Sequence, residues 1–131
     1  MKTLTVLLKS MLLIVAALGF CASPLKAQDM AKAAPGMVKV VLDNDKVRIF
    51  DVQAKAGDKL PMHSHPASNI VIPIVAGKTK TTLADGKVME TEFKVGEPRW
   101  NEAVTHSNEA ITDLHVLVVE LKEPPMKMKK K

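Results

Sequence analysis

A pair of histidines two residues apart constrains this chain more than any other feature. His63 and His65 lie in a largely apolar run over residues 57–77, which begins and ends at glycine. Side chains at positions i and i+2 of a β-strand share one face, about 6.5–7 Å apart along the strand. Two imidazoles placed in this way can bind one metal ion. Two partly exposed histidines near a turn, flanked by Pro61 and Pro66, are the alternative interpretation.

A third metal ligand has to come from a distant part of the chain, because there are only four histidines. His106 is the candidate. It lies about forty residues downstream, in a turn-rich segment that precedes one last apolar strand. His115 lies in that last strand, with Leu117 and Val119 at a spacing of two, which favours a buried, hydrogen-bonded histidine over a ligand.

The rest of the pattern predicts an all-β fold. Short apolar segments at residues 38–42, 47–53, 70–75, 79–83 and 114–121 are separated by turn residues, as in sandwiches and barrels. Asp85-Gly86 predicts a hairpin with a two-residue type I′ turn. No stretch of ten or more residues in 28–121 has the spacing of an amphipathic helix. We therefore expect a single-domain jelly-roll barrel of about eight to ten antiparallel strands.

Two sets of residues resemble the motifs of the cupin family. The first motif is matched by Gly57, His63, His65 and Gly77, and the second by Gly96 and His106. The resemblance covers residues 38–121 and is greatest to small single-domain, cupin-2-like proteins, some of which are named for β-alanine degradation. It implies a cupin-type barrel, a double-stranded β-helix, in which His63, His65 and His106 bind one divalent metal ion.

The usual carboxylate ligand of the family is missing from its place, which falls on Asn69 or Ile70. Three neutral imidazoles on one ion leave open coordination positions, as in catalytic metal sites. Asn69 and Glu102 are the candidates to add an oxygen atom. The ion stays open among zinc, iron, copper, nickel and manganese, since imidazole suits several of them.

Substrate contacts are expected from residues near the predicted metal ligands. Arg99 and Trp100 precede His106 by a few residues and are candidates to line the mouth of the barrel, together with Asn69. The planar guanidinium of Arg99 suits an anionic substrate. The alternative is that Arg99 is solvated and Trp100 belongs to the core.

The first 27 residues have the features of a secretory signal peptide. Lys2 and Lys9 precede an uncharged apolar run at 11–22, and Ala27 offers a small residue for cleavage. An uncleaved anchor is the alternative. We therefore expect a periplasmic or secreted protein with a signal peptide at 1–27, a mobile lead-in at 28–37, the cupin domain at 38–121 and a disordered basic tail at 122–131.

The charge distribution excludes a nucleic-acid partner. The whole chain has a net charge of +5, but residues 28–121 hold 11 basic and 13 acidic residues. The excess of positive charge therefore lies at the ends of the chain and not on a folded face that could bind phosphates. We expect a small-molecule ligand, no stable membrane association after signal cleavage, and, as the resemblance allows, a homodimer through an edge strand.

Three functions are compatible with the sequence. The first is an exported metal-dependent enzyme, dioxygenase-like, that acts on a small organic molecule. The second is a module that senses or binds a metal or small ligand without turnover. The third is a structural cupin with vestigial histidines. The fold by itself does not choose among them.

Overall fold

The computed structural model describes residues 27–122. The predicted signal peptide up to residue 26 and the predicted tail from residue 123 lie outside the described residues. Residues 27–122 form one short helix, α1 (Met30–Ala33), and nine strands. The strands are β1 (Val38–Asp43), β2 (Val47–Ala54), β3 (Lys59–His65), β4 (Asn69–Val75), β5 (Gly77–Leu83), β6 (Val88–Phe93), β7 (Arg99–Asn101), β8 (Val104–Ala110) and β9 (Leu114–Leu121). Within residues 27–122 no helix has the length and apolar character needed to cross a membrane.

The strands form two antiparallel sheets that enclose a cavity. One sheet has the order β1-β2-β9-β4-β7 and the other the order β3-β8-β5-β6. Leu114, Val116 and Val118 of β9 alternate with more exposed residues, so one face of this strand lines the interior. This alternation is typical of a strand with one buried face. The prediction of a single-domain all-β jelly roll is confirmed.

The core lies where β2 and β9 pair. Phe50 is fully buried opposite Val118, and Val52 is buried opposite Val116. The guanidinium carbon of Arg48 lies 4.7 Å from the centre of the Phe50 ring. This cation–π contact covers the one large aromatic side chain of the core.

The chain before β1 packs against the barrel. Asp29 caps α1 and forms an ion pair with Arg48. Met30 is 2% exposed and belongs to the core, and the carbonyl of Gln28 accepts a hydrogen bond from the backbone N–H of Ser64 at 3.0 Å. The structure differs here from the mobile lead-in expected at 28–37. A four-residue helix is too short to produce a periodic pattern, so the sequence gives no sign of this contact.

The hairpin between β5 and β6 has a longer loop than expected. The backbone N–H of Gly86 donates to the carbonyl of Leu83 at 2.9 Å, and that of Leu83 donates to the carbonyl of Lys87 at 2.8 Å. Gly86 has a φ of 87°, whereas Asp85 has none of the positive φ that a type I′ turn requires. The prediction of a two-residue turn is therefore wrong. Asp85 instead accepts the N–H of Lys87 through its side chain at 2.9 Å, which stabilises a three-residue loop.

Gly77 allows the two sheets to meet at one end of the barrel. A Cβ atom at this position would lie 2.5 Å from Cβ of Leu114 and 2.7 Å from the carbonyl oxygen of Asp113. We expect Gly77→Ala to lower the free energy of unfolding by about 1–3 kcal/mol, because the strands must move apart. Urea unfolding measures this loss. Gly36→Ala is the control, since nothing lies within 4 Å of its added Cβ, and equal effects of the two changes would contradict the packing described.

Candidate metal centre

Two paired strands bring the three predicted histidines together. His63 and His65 of β3 are buried on the inner face, and His106 of β8 lies directly opposite His63 in the register. The three ring centres are 4.6–5.2 Å apart. Their ligand nitrogens all lie within 4.8 Å of one another. Among the described residues, this is the one group of three or more histidine, cysteine or acidic side chains arranged to hold an ion.

The strand that holds His106 was not predicted. Residues 104–110 were expected to belong to a turn-rich segment, but they form β8, between β3 and β5. The segment VTHSNEA has little apolar alternation because its inward side chains include His106 and Asn108, which are polar. Because the inner face of β8 is polar, the strand lacks the alternation of apolar residues by which strands are predicted.

The hydrogen bonds of two rings determine which nitrogens are free. Nδ1 of His63 lies 2.8 Å from the carbonyl oxygen of Pro61, and Nδ1 of His65 lies 2.7 Å from a carboxylate oxygen of Glu120. Both oxygens accept, so in each ring Nδ1 carries the proton. Nε2 of each neutral ring then carries a lone pair. Nε2 of His106 is buried and has no partner.

The free nitrogens face one another. Nε2 of His63 and Nε2 of His65 are 3.2 Å apart, close to the ~3.3 Å between two ligands of a tetrahedral ion with metal–nitrogen distances of about 2.0–2.1 Å. Two lone pairs at this distance repel unless a proton or a cation lies between them. Burial lowers the pKa of His63 to about 4. Burial, with the charges of His63 and His65, lowers the pKa of His106 to about 3. At neutral pH the rings of His63 and His106 are therefore uncharged, as binding of a metal cation requires.

Glu120 is the residue of this site that the sequence pattern did not single out. It belongs to β9 in the opposite sheet, is 7% exposed, and ties the two sheets together through His65. A carboxylate that accepts from Nδ1 orients the ring and makes Nε2 a better ligand. The sequence did carry a signal for this residue. Glu120 is the one acidic residue in the apolar segment LHVLVVEL, and it is spaced by two and four residues from Val118 and Val116, which places all three on one strand face.

Removal of this carboxylate should weaken metal binding without removing a ligand. We expect Glu120→Ala to lower the metal affinity about 10–100-fold, the usual effect of losing an outer partner of a ligating histidine. Glu120→Gln keeps an acceptor oxygen and should lose less. Isothermal titration with Zn²⁺ measures both. Glu109→Ala is the control, because Glu109 is a partly exposed residue that pairs with Lys59; an equal loss there would show a general effect of acidic residues.

The predicted substrate-binding residues all line the same cavity as the histidines. Asn69 is 1% exposed and its Cα lies opposite that of Glu120. Its amide oxygen accepts from Asn101 at 3.1 Å, while its amide nitrogen has no partner. Arg99 and Trp100 lie on β7 and are exposed, so Trp100 is not a core residue.

The two other candidate residues lie outside the histidine cluster. Glu102 accepts hydrogen bonds from Ser68 at 2.9 Å and from the Trp100 ring at 2.7 Å, at an exposed position. His115 is half-buried on the outward face of β9 and bonds to Asp51. Its exclusion as a ligand agrees with this geometry.

The cavity is large enough for a small molecule. Its volume is about 500 Å³, and its lining is mainly apolar, within the range of about 300–1,000 Å³ that ligand pockets occupy. β6 and β7, the edge strands of the two sheets, contribute exposed lining residues such as Met89 and Trp100. Met30 of α1 lines the cavity from a buried position.

Comparison with known proteins identifies the fold. No protein-family model matches the chain, and no curated protein matches it. Solved structures do. A cupin domain protein from Bordetella pertussis is 19% identical with a TM-score of 0.61, covering 76% of this chain and 99% of its own. The chain thus has the cupin fold.

Two further structures agree with this result. An RmlC-like cupin family protein with a double-stranded β-helix fold from Methanocaldococcus jannaschii is 19% identical, with a TM-score of 0.54, over 65% of this chain and 78% of its own. An RmlC-like cupin from Desulfovibrio desulfuricans is 21% identical, with a TM-score of 0.51, over 76% and 93%. The chain is thus similar to small cupins, and the label of β-alanine degradation stays a prediction.

Proposed function

We propose that this protein is a metal-binding cupin in which His63, His65 and His106 hold one divalent ion and present it to a small organic molecule. One observation carries the proposal: three imidazoles converge, two of them buried and that of His106 half-buried, and the hydrogen bonds of the two buried rings direct lone pairs at the same point. A histidine cluster kept only for packing would not need this arrangement. A structural cupin with vestigial histidines therefore fits less well.

The residues around the proposed ion fit a site with open positions. Three protein ligands are the usual number in catalytic zinc sites, where the ion acts as a Lewis acid or activates a bound water. Glu120 keeps the proton of His65 on Nδ1, and the carbonyl of Pro61 does the same for His63. The mainly apolar lining of the cavity lowers the local dielectric, which strengthens electrostatic interactions with a bound molecule.

Whether the site turns over a substrate is the second part of the proposal. A three-histidine site suits dioxygenase-like chemistry or hydrolysis if a substrate group occupies an open position. The alternative is a binding or sensing module. It is favoured by the state of the two carboxylates that line the cavity, because Asp58 accepts from the backbone of Lys55, and Glu102 accepts from Ser68 and Trp100. These bonds occupy both oxygens of Glu102 and one oxygen of Asp58, which weakens either residue as a general base.

We further propose that the protein works outside the cytoplasm, in the periplasm or as a secreted protein, with a small-molecule ligand and without a nucleic acid. The signal-peptide features of residues 1–27 and the net charge of residues 28–121 support this. A homodimer is part of the same proposal. N-terminal sequencing of the exported protein tests the localisation, and a full-length cytosolic protein would contradict it.

Metal analysis tests the central proposal. Protein purified from its natural compartment should contain about one divalent ion per chain, and the metal-free protein should bind one of zinc, copper, iron, nickel and manganese with an affinity far above that of exposed surface groups. Oxygen consumption is then screened with the metal found. Metal without turnover would support the binding module. If no metal binds after reconstitution with each ion in turn, the metal function is wrong.

A further inference from the structure

The two walls of the cavity differ in chemistry. The wall formed by the five-stranded sheet presents the hydrocarbon side chains Val71, Leu114, Val116 and Val118, and its polar lining residues are Asn69, Arg99 and Asn101 of β4 and β7. The wall formed by the four-stranded sheet carries hydroxyl and amide groups, from Thr79, Thr81, Thr91 and Asn108. A molecule that fills this space can therefore contact the valines and leucine of one sheet and the threonine hydroxyls of the other.

Unpaired polar atoms are concentrated in this cavity. Among the described residues, four buried side-chain atoms have no hydrogen-bond partner, and three of them belong to residues that line the cavity: Asn69, Thr79 and His106. Asn69 is 1% exposed and Thr79 is 6% exposed. Buried polar groups in folded proteins nearly always have a partner. These groups belong to residues on the wall of the cavity and are candidates to bond a molecule held there.

The Thr79 hydroxyl has no hydrogen-bond partner, whereas the hydroxyl of the neighbouring Thr81 has one. Thr81, two residues along β5 and on the same face, accepts a hydrogen bond from Asn108 at 2.8 Å. Thr79 lies between Thr91 and Ala110 in the register of the sheet. Ala110 offers no side-chain polar group, so the wall provides no amide partner for the Thr79 hydroxyl equivalent to the one that Asn108 provides for Thr81.

The unpaired groups lie at opposite ends of the cavity. In the pairing of β5 with β8, Leu83 lies opposite His106 and Thr79 lies opposite Ala110. His106 and Thr79 are thus separated by four residues of strand, about 13 Å at about 3.3 Å per residue. Asn69 lies at the histidine end, since its Cα is opposite that of Glu120.

The Thr79 end of the cavity provides no fully buried charge, and Asp58, whose carbonyl accepts from the backbone of Ala110 opposite Thr79, is half-buried there. The charged lining residues are Asp58, Arg99 and Glu102, besides the histidines. Asp58 and Glu102 already accept hydrogen bonds, and Arg99 is exposed, with its guanidinium 6.0 Å from the Phe93 ring. An anionic group next to Thr79 would thus lie near the Asp58 carboxylate without a buried counter-charge, which is unfavourable.

We propose that the cavity takes an elongated, largely hydrocarbon molecule with an oxygen function at each end, and that Thr79 selects for the oxygen far from the histidines. Asn69 donates to the oxygen at the histidine end of the cavity. The assignment of that end of the molecule rests on the proposed metal function. Thr79 donates to the far oxygen, which is uncharged. The hydrocarbon body lies against the valines and leucine of the five-stranded sheet.

Paired probes test the role of Thr79. The Zn²⁺-loaded full chain is titrated with octanohydroxamic acid and with its ω-hydroxy counterpart, whose hydroxamate binds the metal. Wild type should prefer the ω-hydroxy probe by roughly tenfold, about the effect of one net hydrogen bond. Thr79→Val keeps the side-chain shape and removes the hydroxyl, so it should lose this preference. Thr82→Val is the control, because Thr82 is on the same strand and does not line the cavity.

A second pair of variants covers a folding defect. If Thr79→Val does not fold, Thr79→Ser should keep the preference and Thr79→Ala should lose it. A preference that survives the removal of the hydroxyl would overturn the role of Thr79. Equal binding of both probes by wild type would do the same while leaving the metal function intact.

A metal-independent measurement separates the two proposals. Octanol and octane-α,ω-diol are titrated into the metal-free full chain and followed by NMR. Wild type should bind the diol more tightly, and Thr79→Val should bind both equally. If the hydroxamates fail to bind while this diol preference depends on Thr79, the metal function is wrong and the ligand class stands. No diol preference in wild type would overturn the ligand class.

Discussion

Alanine at His63, His65 or His106 should abolish specific metal binding. Each change removes one of three ligands, and the loss should exceed about 100-fold in affinity, since loss of an outer-shell partner alone costs about 10–100-fold. Each of the three histidines offers one ligand nitrogen to the proposed ion. The three variants should therefore lose metal affinity to a similar extent. Isothermal titration and metal analysis after dialysis measure the loss.

His115→Ala is the matched control for this series. His115 lies on the outward face of β9 and contacts Asp51, away from the cluster. Its replacement should leave the metal content unchanged. Full metal occupancy in the His106→Ala protein would show that the ion is held elsewhere.

The metal-free protein should become unstable in mild acid. Burial lowers the pKa of His63 to about 4, and burial with the charges of His63 and His65 lowers that of His106 to about 3, whereas an unfolded histidine titrates near about 6.5. Between these values the unfolded chain takes up protons that the folded chain does not. The stability from the neutral rings is therefore present above about pH 6.5 and is lost as the pH falls towards about 4.

Urea unfolding at several pH values measures this loss. Each of the two histidines should contribute a slope of up to about 1.4 kcal/mol per pH unit in that interval. His106→Gln replaces one titrating group by a neutral one of similar size and should remove its share of the slope. Saturating Zn²⁺ should raise the stability most at neutral pH, because metal binds the unprotonated rings. A flat pH profile of the metal-free wild type would contradict the burial of these histidines.

Part of the site could be predicted because it depends on local geometry. The spacing of His63 and His65 places both rings on one face of any β-strand, whatever the rest of the fold. Asp85-Gly86 marked a hairpin correctly, since glycine readily adopts positive φ, although the loop has three residues. The spacing of His115 with Leu117 and Val119 in β9 favoured a buried, hydrogen-bonded histidine, and the structure has it hydrogen-bonded to Asp51 but only half-buried, on the outward face.

Other features depend on residues that are far apart in the chain. β8 carries polar side chains on its inner face because it builds the site, so no apolar period indicates it. The packing of Met30 against the barrel arises from a single Asp29 cap and one ion pair with Arg48. Neither the polar inner face of β8 nor the packing of Met30 produces a periodic pattern in a short stretch of the sequence.

The amino-acid order alone determined an all-β domain with two histidines on one strand face, because strand periodicity and turn chemistry act over a few residues. Only the tertiary structure decided which atoms meet. The register of β3 with β8 put His106 opposite His63, and the packing of the two sheets put Glu120 against His65. These contacts join residues 43 and 55 positions apart, and their distance in space follows from sheet pairing and burial, which no local pattern encodes.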